Sequence, residues 1–294
     1  TICSREGFSG SLDGNGYSIF NLNLKLETGM FSNITGGTIR NLNILNARVT
    51  PDVIGSVIAA CNYGYIENCI VSADAEGKKG VFGGVAAENF GQIKNCHVRI
   101  SMNDRCDNST IGGICADNSG IVIGCYATLD LKTTGDNTAA GGIVGYDTGG
   151  CVFESFAKVN ISAKNKSGYY GGICAMAEKS RIYKCVSSGS ISAAGTSTYC
   201  GGVSGMSDAS VIYNCYSTAD ISSSAPQAYI GGIAGYAGEE SNVQNTYSLG
   251  NVIASGGAVT YAGGICGYTE NSFVTQNISA NPVINSTGFA GCIT

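Results

Sequence analysis

Apolar and small residues recur along this chain with two periods, one short and one long. Within each short segment apolar positions alternate with polar positions, and this period of two predicts a β-strand with one buried face. The segments return about every 30 residues, each marked by a Gly-Gly pair and an aliphatic residue. The pairs begin at Gly83, Gly112, Gly141, Gly171, Gly201, Gly231 and Gly263, with spacings of 29, 29, 30, 30, 30 and 32 residues. Self-similarity of this kind predicts a repeat architecture.

Alignment of the repeats predicts three columns of inward-facing residues. The first column contains Leu22, Leu42, Cys69, Cys96, Cys125, Ser155, Cys185, Cys215 and Thr246. The second lies two positions further on and contains Leu24, Ile44, Val71, Val98, Ala127, Ala157, Ser187, Ser217 and Ser248. The third follows the Gly-Gly pairs and contains Val85, Ile114, Ile143, Ile173, Val203, Ile233 and Ile265. Because these side chains are apolar or small, we expect them to form one continuous core.

The repeat has no helical periodicity, so each unit must consist of short strands and turns. Such a unit buries its apolar face only by stacking on copies of itself. We therefore predict an all-β fold, a single-stranded parallel β-helix (β-solenoid) of about ten coils of ~29–30 residues. The usual sense of parallel crossovers predicts a right-handed helix. One continuous domain should span residues 1–294, with opening coils over 1–54 and regular repeats over 55–294.

Composition narrows the classes of function. Of the 294 residues, 44% are hydrophobic and 13% are charged, and the net charge is −5. This balance, with no run of Lys or Arg, argues against a nucleic-acid partner, because such binding depends on neutralising phosphates. No apolar run approaches the ~18 residues that cross a membrane, so we expect no membrane insertion.

The glycines and cysteines have structural interpretations. A phosphate-binding glycine loop leads into a helix and usually carries Lys-Ser or Lys-Thr, and neither follows these Gly-Gly pairs. We interpret the pairs as corners between strands, where small residues are needed. Cysteines in the first column should act as small apolar residues. In-register side chains on parallel strands rarely reach the disulfide dihedral, so we favour free thiols and a reducing or anaerobic niche.

The repeat has a recognisable pattern, seen in "AGGIVGYDTGGCVFESFAKVNISA" and "IGGIAGYAGEESNVQNTYSLGNVIAS". It resembles the GLUG motif, whose Gly-Gly-aliphatic-x-Gly-Tyr element matches Gly141 to Tyr146, Gly231 to Tyr236 and Gly263 to Tyr268. The repeats at Gly112 and Gly171 depart from it, since they lack the Gly-Tyr pair. The resemblance implies a spacer or binding module of a bacterial cell-surface protein, of the adhesin-like kind or of the kind found beside IgA-cleaving peptidases.

Candidate chemistry is sparse. His97 is the only histidine, so a His-based triad and the HExxH metal site are excluded within these residues, and we expect His97 to face solvent. Acidic residues recur after each Gly-Gly strand, at Glu88, Asp117, Asp147, Glu178, Asp208, Glu239 and Glu270. They suit solvated turns, or a weak stacked Ca²⁺ site if the carboxylates lie one coil apart. We predict no catalytic residue and no cofactor, with Ca²⁺ as the one candidate.

Two outward rows of aromatic residues are candidate binding surfaces. The first runs through Ile70, His97, Tyr126, Phe156, Val186, Tyr216 and Tyr247. The second precedes the Gly-Gly pairs and runs through Tyr169, Tyr199, Tyr229, Tyr261 and Phe289. Such rows suit a flat platform for sugar rings or a partner protein, or stacking that only stabilises the sheet.

The leading hypothesis is therefore a non-enzymatic, extracellular repeat module on a bacterial surface, acting as a stalk or as a surface that binds a host protein or glycan. A polysaccharide-active β-helix enzyme is one alternative. Self-association end to end into filaments is another, because a solenoid exposes unpaired strands at its ends. One turn is unusual, since Asp104, Arg105 and Asp107 lie where other repeats have Ser, Ala and Gly. We expect this turn to be solvated, with a contact loop as the alternative.

Overall fold

The computed structural model describes residues 7–25, 29–50, 54–77, 80–257 and 259–291, and within them the secondary structure is all β. The strands assemble into four sheets, and their paired strands run parallel. The predicted parallel β-solenoid is confirmed, while its right-handed sense stays a prediction. The described residues contain no helix long and apolar enough to span a membrane.

Each coil contributes to the four sheets in turn. Sheet 1 contains the strands that end in the Gly-Gly corner: Ile54–Ser56, Val81–Gly83, Thr110–Gly112, Thr138–Gly141, Ser167–Gly171, Ser197–Gly201, Gln227–Gly231, Val259–Gly263 and Phe289–Gly291. Sheet 2 follows the corner: Phe31–Ile34, Ala59–Asn62, Ala86–Asn89, Cys115–Asn118, Val144–Thr148, Cys174–Glu178, Ser204–Asp208, Ala234–Gly238 and Cys266–Thr269.

The other two sheets complete the coil. Sheet 3 contains Ser11–Asp13, Thr38–Arg40, Tyr65–Glu67, Gln92–Lys94, Ile121–Ile123, Cys151–Phe153, Arg181–Tyr183, Val211–Tyr213, Asn242–Gln244 and Phe273–Thr275. Sheet 4 contains Ser18–Phe20, Asn23–Leu24, Asn43–Val49, Ile70–Gly77, His97–Asp104, Tyr126–Thr133, Phe156–Lys164, Val186–Ala194, Tyr216–Ser217, Asp220–Ser223, Tyr247–Ser248, Val252–Ala254, Ile278–Ser279 and Ile284–Ser286.

The core lies between the four sheets and follows the predicted columns. From the second coil onward the members of the three columns are buried, whereas Leu22 and Leu24 of the first coil are only partly buried. Buried residues from successive coils belong to one hydrophobic cluster. Stacking therefore supplies the core that a single coil lacks.

The turn from sheet 3 to sheet 4 has the same backbone conformation in every coil. One residue of each turn has a φ between 46° and 64°, in the left-handed region. These residues are Asn21, Asn41, Asn68, Asn95, Gly124, Glu154, Lys184, Asn214, Asn245 and Gln276. Asparagine predominates because it tolerates this conformation better than most other side chains.

The Gly-Gly corner is a close approach of backbone to backbone. At Gly141 an added Cβ would overlap the carbonyl oxygen of Val144, and at Gly142 it would overlap the carbonyl oxygen of Gly172 in the next coil. Any side chain at these positions would have to push the two strands apart. The interpretation of the Gly-Gly pairs as structural corners is confirmed.

Candidate binding surfaces

The first predicted aromatic row lies on the outside of sheet 4, at the start of its strands. The row is in register, since His97 pairs with Tyr126, Tyr126 with Phe156 and Tyr216 with Tyr247. The rings of Tyr126 and Phe156 stack, with centroids 5.0 Å apart and planes 9° apart. Tyr216 and Tyr247 are 38% and 48% exposed. His97 is exposed at the end of the stack, as expected.

The second predicted row lies on the outside of sheet 1 and is a continuous stack. Its neighbouring ring centroids are 4.8 to 5.3 Å apart, with interplanar angles of 9° to 14°. Its members are Tyr169, Tyr199, Tyr229, Tyr261 and Phe289. Because each ring covers the face of the next, the row presents ring edges outward. This geometry favours sheet stabilisation over a flat platform for sugars.

A second set of tyrosines packs against this stack and was missed in the sequence. Tyr236 and Tyr268, on sheet 2, stack on each other at 5.7 Å. They meet the rings of the sheet 1 row edge to face, with Tyr236 at 6.2 Å from Tyr229 and Tyr268 at 5.2 Å from Tyr261. These residues are the Tyr of the Gly-Tyr element, and their spacing of seven residues from the row on sheet 1 was the available signal.

Small residues on sheet 2 allow the two tyrosine sets to meet. A Cβ on Gly235 would lie 2.7 Å from the carbonyl oxygen of Tyr229 and 2.8 Å from the amide nitrogen of Cys200. Gly267 is equally close to the backbone of Ile230. The backbones of sheets 1 and 2 are therefore in close contact, and the outward-facing rings of the two sheets form one aromatic cluster.

The expected column of seven acidic residues does not exist. Glu88 pairs in register with Asp117, but the next residue in that column is Tyr146. Asp147 is instead in register with Asn118, and Glu178 and Asp208 occupy a third column. The prediction of seven stacked carboxylates is therefore wrong, and only two separate pairs lie one coil apart, Glu88 with Asp117 and Glu178 with Asp208. A shift of one residue along a strand moves a side chain to the opposite face.

Only some of these acidic side chains face water. Glu239 and Glu270 are exposed, whereas Glu88, Asp117, Glu178 and Asp208 are half-buried. Tyrosine hydroxyls hold two of them: Tyr146 donates to Glu178 at 2.5 Å, and Tyr236 donates to Glu270. The first of these bonds lowers the pKa of Glu178. Carboxylates bonded in this way hold the strands and turns of the sheet together.

Asp147 ends a buried ladder of amide side chains inside sheet 2. Asn62 donates to Asn89 at 2.8 Å, Asn89 to Asn118 at 2.7 Å, and Asn118 to Oδ1 of Asp147 at 2.8 Å. Asp147 is fully buried, and its Oδ2 has no hydrogen-bond partner within the described residues. Burial raises the pKa of this carboxyl to about 7. The sequence prediction of a solvated turn residue is wrong here.

The turn glycines of sheet 2 make room for this ladder. A Cβ on Gly150 would overlap Oδ1 of Asp147, and a Cβ on Gly120 would lie 3.0 Å from Nδ2 of Asn89. Later coils, whose inward residue is Ala or Ser, have serine at this turn instead. Ser180 and Ser210 donate to the carbonyl oxygens two residues earlier, at 2.9 and 2.8 Å. Two alternative sets of side chains therefore supply hydrogen bonds at the same turn, the Asn and Asp ladder in the earlier coils and serine in the later coils.

The cysteines of the first inward column have a donor role as well as filling the core. Their thiols donate to the carbonyl oxygen two residues earlier, for example Cys96 to Lys94 at 3.4 Å and Cys185 to Tyr183 at 3.3 Å. Ser155, in the same column, donates in the same way to Phe153 at 2.8 Å. This shared bond explains why Cys and Ser interchange at the column, whereas Thr246 donates instead to Oδ1 of Asn277 at 2.8 Å.

Burial also makes several cysteine thiols outside the first column unreactive. The twelve described cysteines are free thiols. Burial raises the pKa of Cys200 and of Cys266 to about 12, and it raises the pKa of Cys115 and Cys174 well above the usual range. Since the thiolate is the nucleophile, these residues are suited to packing and not to catalysis.

The unusual turn after sheet 4 is partly internal. Asp104 is 2% exposed and accepts hydrogen bonds from the Ser109 hydroxyl at 3.2 Å and the Thr133 hydroxyl at 2.9 Å. The expectation that Asp104 is solvated is wrong, because its column faces the core. Arg105 and Asp107 are exposed, and Asp107 accepts the backbone amide of Asp136 at 2.8 Å.

A third aromatic group, which sequence reasoning missed, lies on the outside of sheet 3. Phe153, Tyr183 and Tyr213 occupy one column in three successive coils. Their rings line an open hollow of about 560 Å³, together with Val211 and the turn residues Glu154, Lys184 and Asn214. The available signal was an aromatic residue two positions before the Cys column in each of these coils.

These surfaces belong to a β-solenoid repeat protein whose outward side chains are mostly polar or aromatic. Among the described residues, no group of three or more His, Cys, Asp or Glu side chains is placed to hold a metal ion. No protein-family model matches the chain, and no curated protein matches its sequence.

Proposed function

We propose that this chain is a non-enzymatic, extracellular repeat module of a bacterial surface protein, acting as a stalk or as a binding surface. The observation that carries the proposal is the continuity of the four sheets, whose strands pair from coil to coil with a local register shift in sheet 4. With ~4.8 Å between strands, about ten coils extend for roughly 50 Å. A rod of this kind separates its two ends and offers long, regular sides to a partner.

The GLUG-like repeat supports the surface location, since such arrays resemble parts of large bacterial surface proteins. The outward rows of Tyr126, Phe156, Tyr216 and Tyr247 support a role in contact with a host protein or glycan. The many free thiols suit a reducing or anaerobic niche.

Adhesion by the purified protein tests the proposal. Surfaces coated with the protein should retain mucin-coated beads or host cells better than surfaces coated with an unrelated solenoid. The protein should release no reducing ends from a panel of polysaccharides. Release of reducing ends without adhesion would overturn the proposal.

One observation favours a second candidate, a polysaccharide-active enzyme. Glu88 and Asp117 face outward in register on adjacent strands of sheet 2, which lie ~4.8 Å apart. Burial, and then the nearby charge of Glu88, raise the pKa of Asp117 to about 6. Two close carboxyl groups, one of them protonated near neutral pH, are what retaining glycoside hydrolysis requires.

The same assay distinguishes the two candidates. The enzyme hypothesis expects reducing ends from the wild-type protein and a loss of ~100-fold or more in Asp117→Asn, because the acid is removed. Glu239→Gln is the control, since it removes an exposed carboxyl from the turn after sheet 2 that belongs to neither in-register pair. Equal rates for the two variants would reject the pair as catalytic.

A further inference from the structure

Among the described residues, the hollow on sheet 3 is a concave part of the outward surface lined by three aromatic rings that do not stack in parallel. We propose that this hollow, formed by Phe153, Tyr183 and Tyr213, binds a neutral pyranose unit of a glycan. The inference deepens the proposed function and rests on its binding role, since it names the class of ligand and a site different from the aromatic rows of sheets 1 and 4.

The three rings are half-buried and do not stack in parallel. Phe153 and Tyr183 are 5.3 Å apart with planes tilted by 38°, and Tyr183 meets Tyr213 edge to face at 6.0 Å and 84°. In the stacked row of sheet 1 the planes of Tyr199 and Tyr229 differ by only 9°. A pyranose ring packs the C–H groups of one face against an aromatic ring. Tilted rings can offer that contact, whereas rings in a continuous stack cannot.

The rim of the hollow is polar and electrically balanced. Glu154, Lys184 and Asn214 follow the three aromatic residues directly, and their φ values of 46°, 52° and 55° hold them at the turn beside the hollow. Nζ of Lys184 lies 3.0 Å from Oε1 of Glu154. Since the two charges offset each other, the rim selects neither an anion nor a cation. It offers hydrogen-bond donors and acceptors for hydroxyl groups.

The size and place of the hollow fit one or two sugar units. Its volume of about 560 Å³ lies within the ~300–1,000 Å³ usual for small-ligand sites. The aromatic column is confined to three coils, because the same position holds Lys94 and Ile123 before them and Gln244 after them. A feature that interrupts the repeat locally is what a site requires, whereas a feature needed for stacking would recur in every coil.

A glycan array followed by titration tests the inference. The array should carry neutral gluco-, galacto- and manno-configured oligosaccharides beside sialylated and sulfated ones, and the best neutral binder is then titrated by calorimetry. We expect the double variant Tyr183→Ser, Tyr213→Ser to bind about tenfold or more weakly, since two ring contacts are lost. Tyr65→Ser, an exposed tyrosine of the same sheet outside the hollow and outside both aromatic rows, is the matched control and should stay within about twofold.

A second variant guards against misfolding of the first. Lys184→Gln changes an exposed side chain and keeps the rings, and it should weaken binding by about threefold or more because it removes a charged donor. The inference is overturned if no neutral glycan binds, if only anionic glycans bind, or if Tyr65→Ser loses as much affinity as the double variant. Adhesion to host protein without glycan binding would overturn the inference and leave the proposed function standing.

Discussion

The buried carboxyl of Asp147 makes a specific prediction about stability and pH. The folded chain holds its pKa at about 7, against an ordinary value of 3.8, because the side chain is fully buried. Between these two pH values the folded state binds a proton that the unfolded state has released. Stability should therefore be fully present below pH 3.8 and decline as the pH rises through 7.

The magnitude follows from the size of the shift. A pKa difference of about 3 at ~1.36 kcal/mol for each unit gives a cost of about 4 kcal/mol above pH 7. Asp147→Asn removes the charge and extends the amide ladder by one residue, since Asn118 can still donate to Oδ1. At pH 8 the variant should be the more stable protein by up to about 4 kcal/mol, and at pH 4 the two should differ little.

Chemical denaturation at pH 4, 5.5 and 8, followed by circular dichroism, measures the effect. The difference between wild type and Asp147→Asn isolates this carboxyl, because Asp13, Asp136 and Glu178, whose pKa values are lowered, contribute with the opposite sign in both proteins. A difference that is constant across these pH values, or that grows toward acid, would refute the reasoning.

Three other predictions concern packing and are measured by the same denaturation. Gly141→Ala should cost about 2 kcal/mol or more, because the new Cβ overlaps a carbonyl oxygen, whereas Gly291→Ala has open space and should be nearly neutral. Cys96→Val should cost about 1 kcal/mol by removing the thiol bond to the Lys94 carbonyl, which then keeps only the Asn68 amide as its donor, and Cys96→Ser should cost less. Tyr229→Ala should cost about 3 kcal/mol or more, since Tyr229 contacts four other rings, while the exposed Tyr247→Ala should cost under about 1 kcal/mol.

Each of these pairs has an outcome that contradicts its explanation. Equal costs for the two glycine variants would mean that the corner relaxes around a methyl group. A Val variant as stable as the Ser variant would remove the donor role of the Cys column. Equal losses for the two tyrosine variants would mean that the aromatic cluster adds nothing to ordinary exposed tyrosines.

The inward columns could be predicted because buried positions show two signals in the sequence. They alternate with polar positions along a strand, and they recur at the same place in each repeat. Cys125 and Ile143, for example, face inward in their own strand, and the repeats on both sides have an apolar or small residue at the same position. Both are buried, at 1% and 0% exposure. A position that satisfies both periods is defined by packing alone.

The prediction of one acidic column is wrong because the spacing between acidic residues along the chain does not fix the position of each residue within its own strand. Measured from the first glycine of the pair, Asp117 follows Gly112 by five residues, Asp147 follows Gly141 by six, and Glu178 follows Gly171 by seven. Since adjacent strand positions face opposite ways, these offsets place the three side chains in different columns. The sequence contains these three offsets once each position is counted from the Gly-Gly pair.

The aromatic contacts depend on geometry that the sequence does not express. The meeting of Tyr229 and Tyr236 requires the backbones of sheets 1 and 2 to touch, which follows from the bend angle and not from spacing. The tilt of Tyr183 against Phe153 likewise keeps these two rings from stacking in parallel. Alignment finds aromatic columns, whereas side-chain torsions decide whether a column is a stack or a hollow.

Removal of two whole coils tests the central claim, a modular rod held together by coil-on-coil register, most directly. Gly141, Gly171 and Gly201 are in register, so deletion of residues 142–201 joins Gly141 to Gly202 without changing the pattern. Small-angle X-ray scattering should show a folded rod of unchanged cross-section that is about 10 Å shorter, two strand spacings of ~4.8 Å. An unfolded chain, or one of unchanged length, would contradict the account.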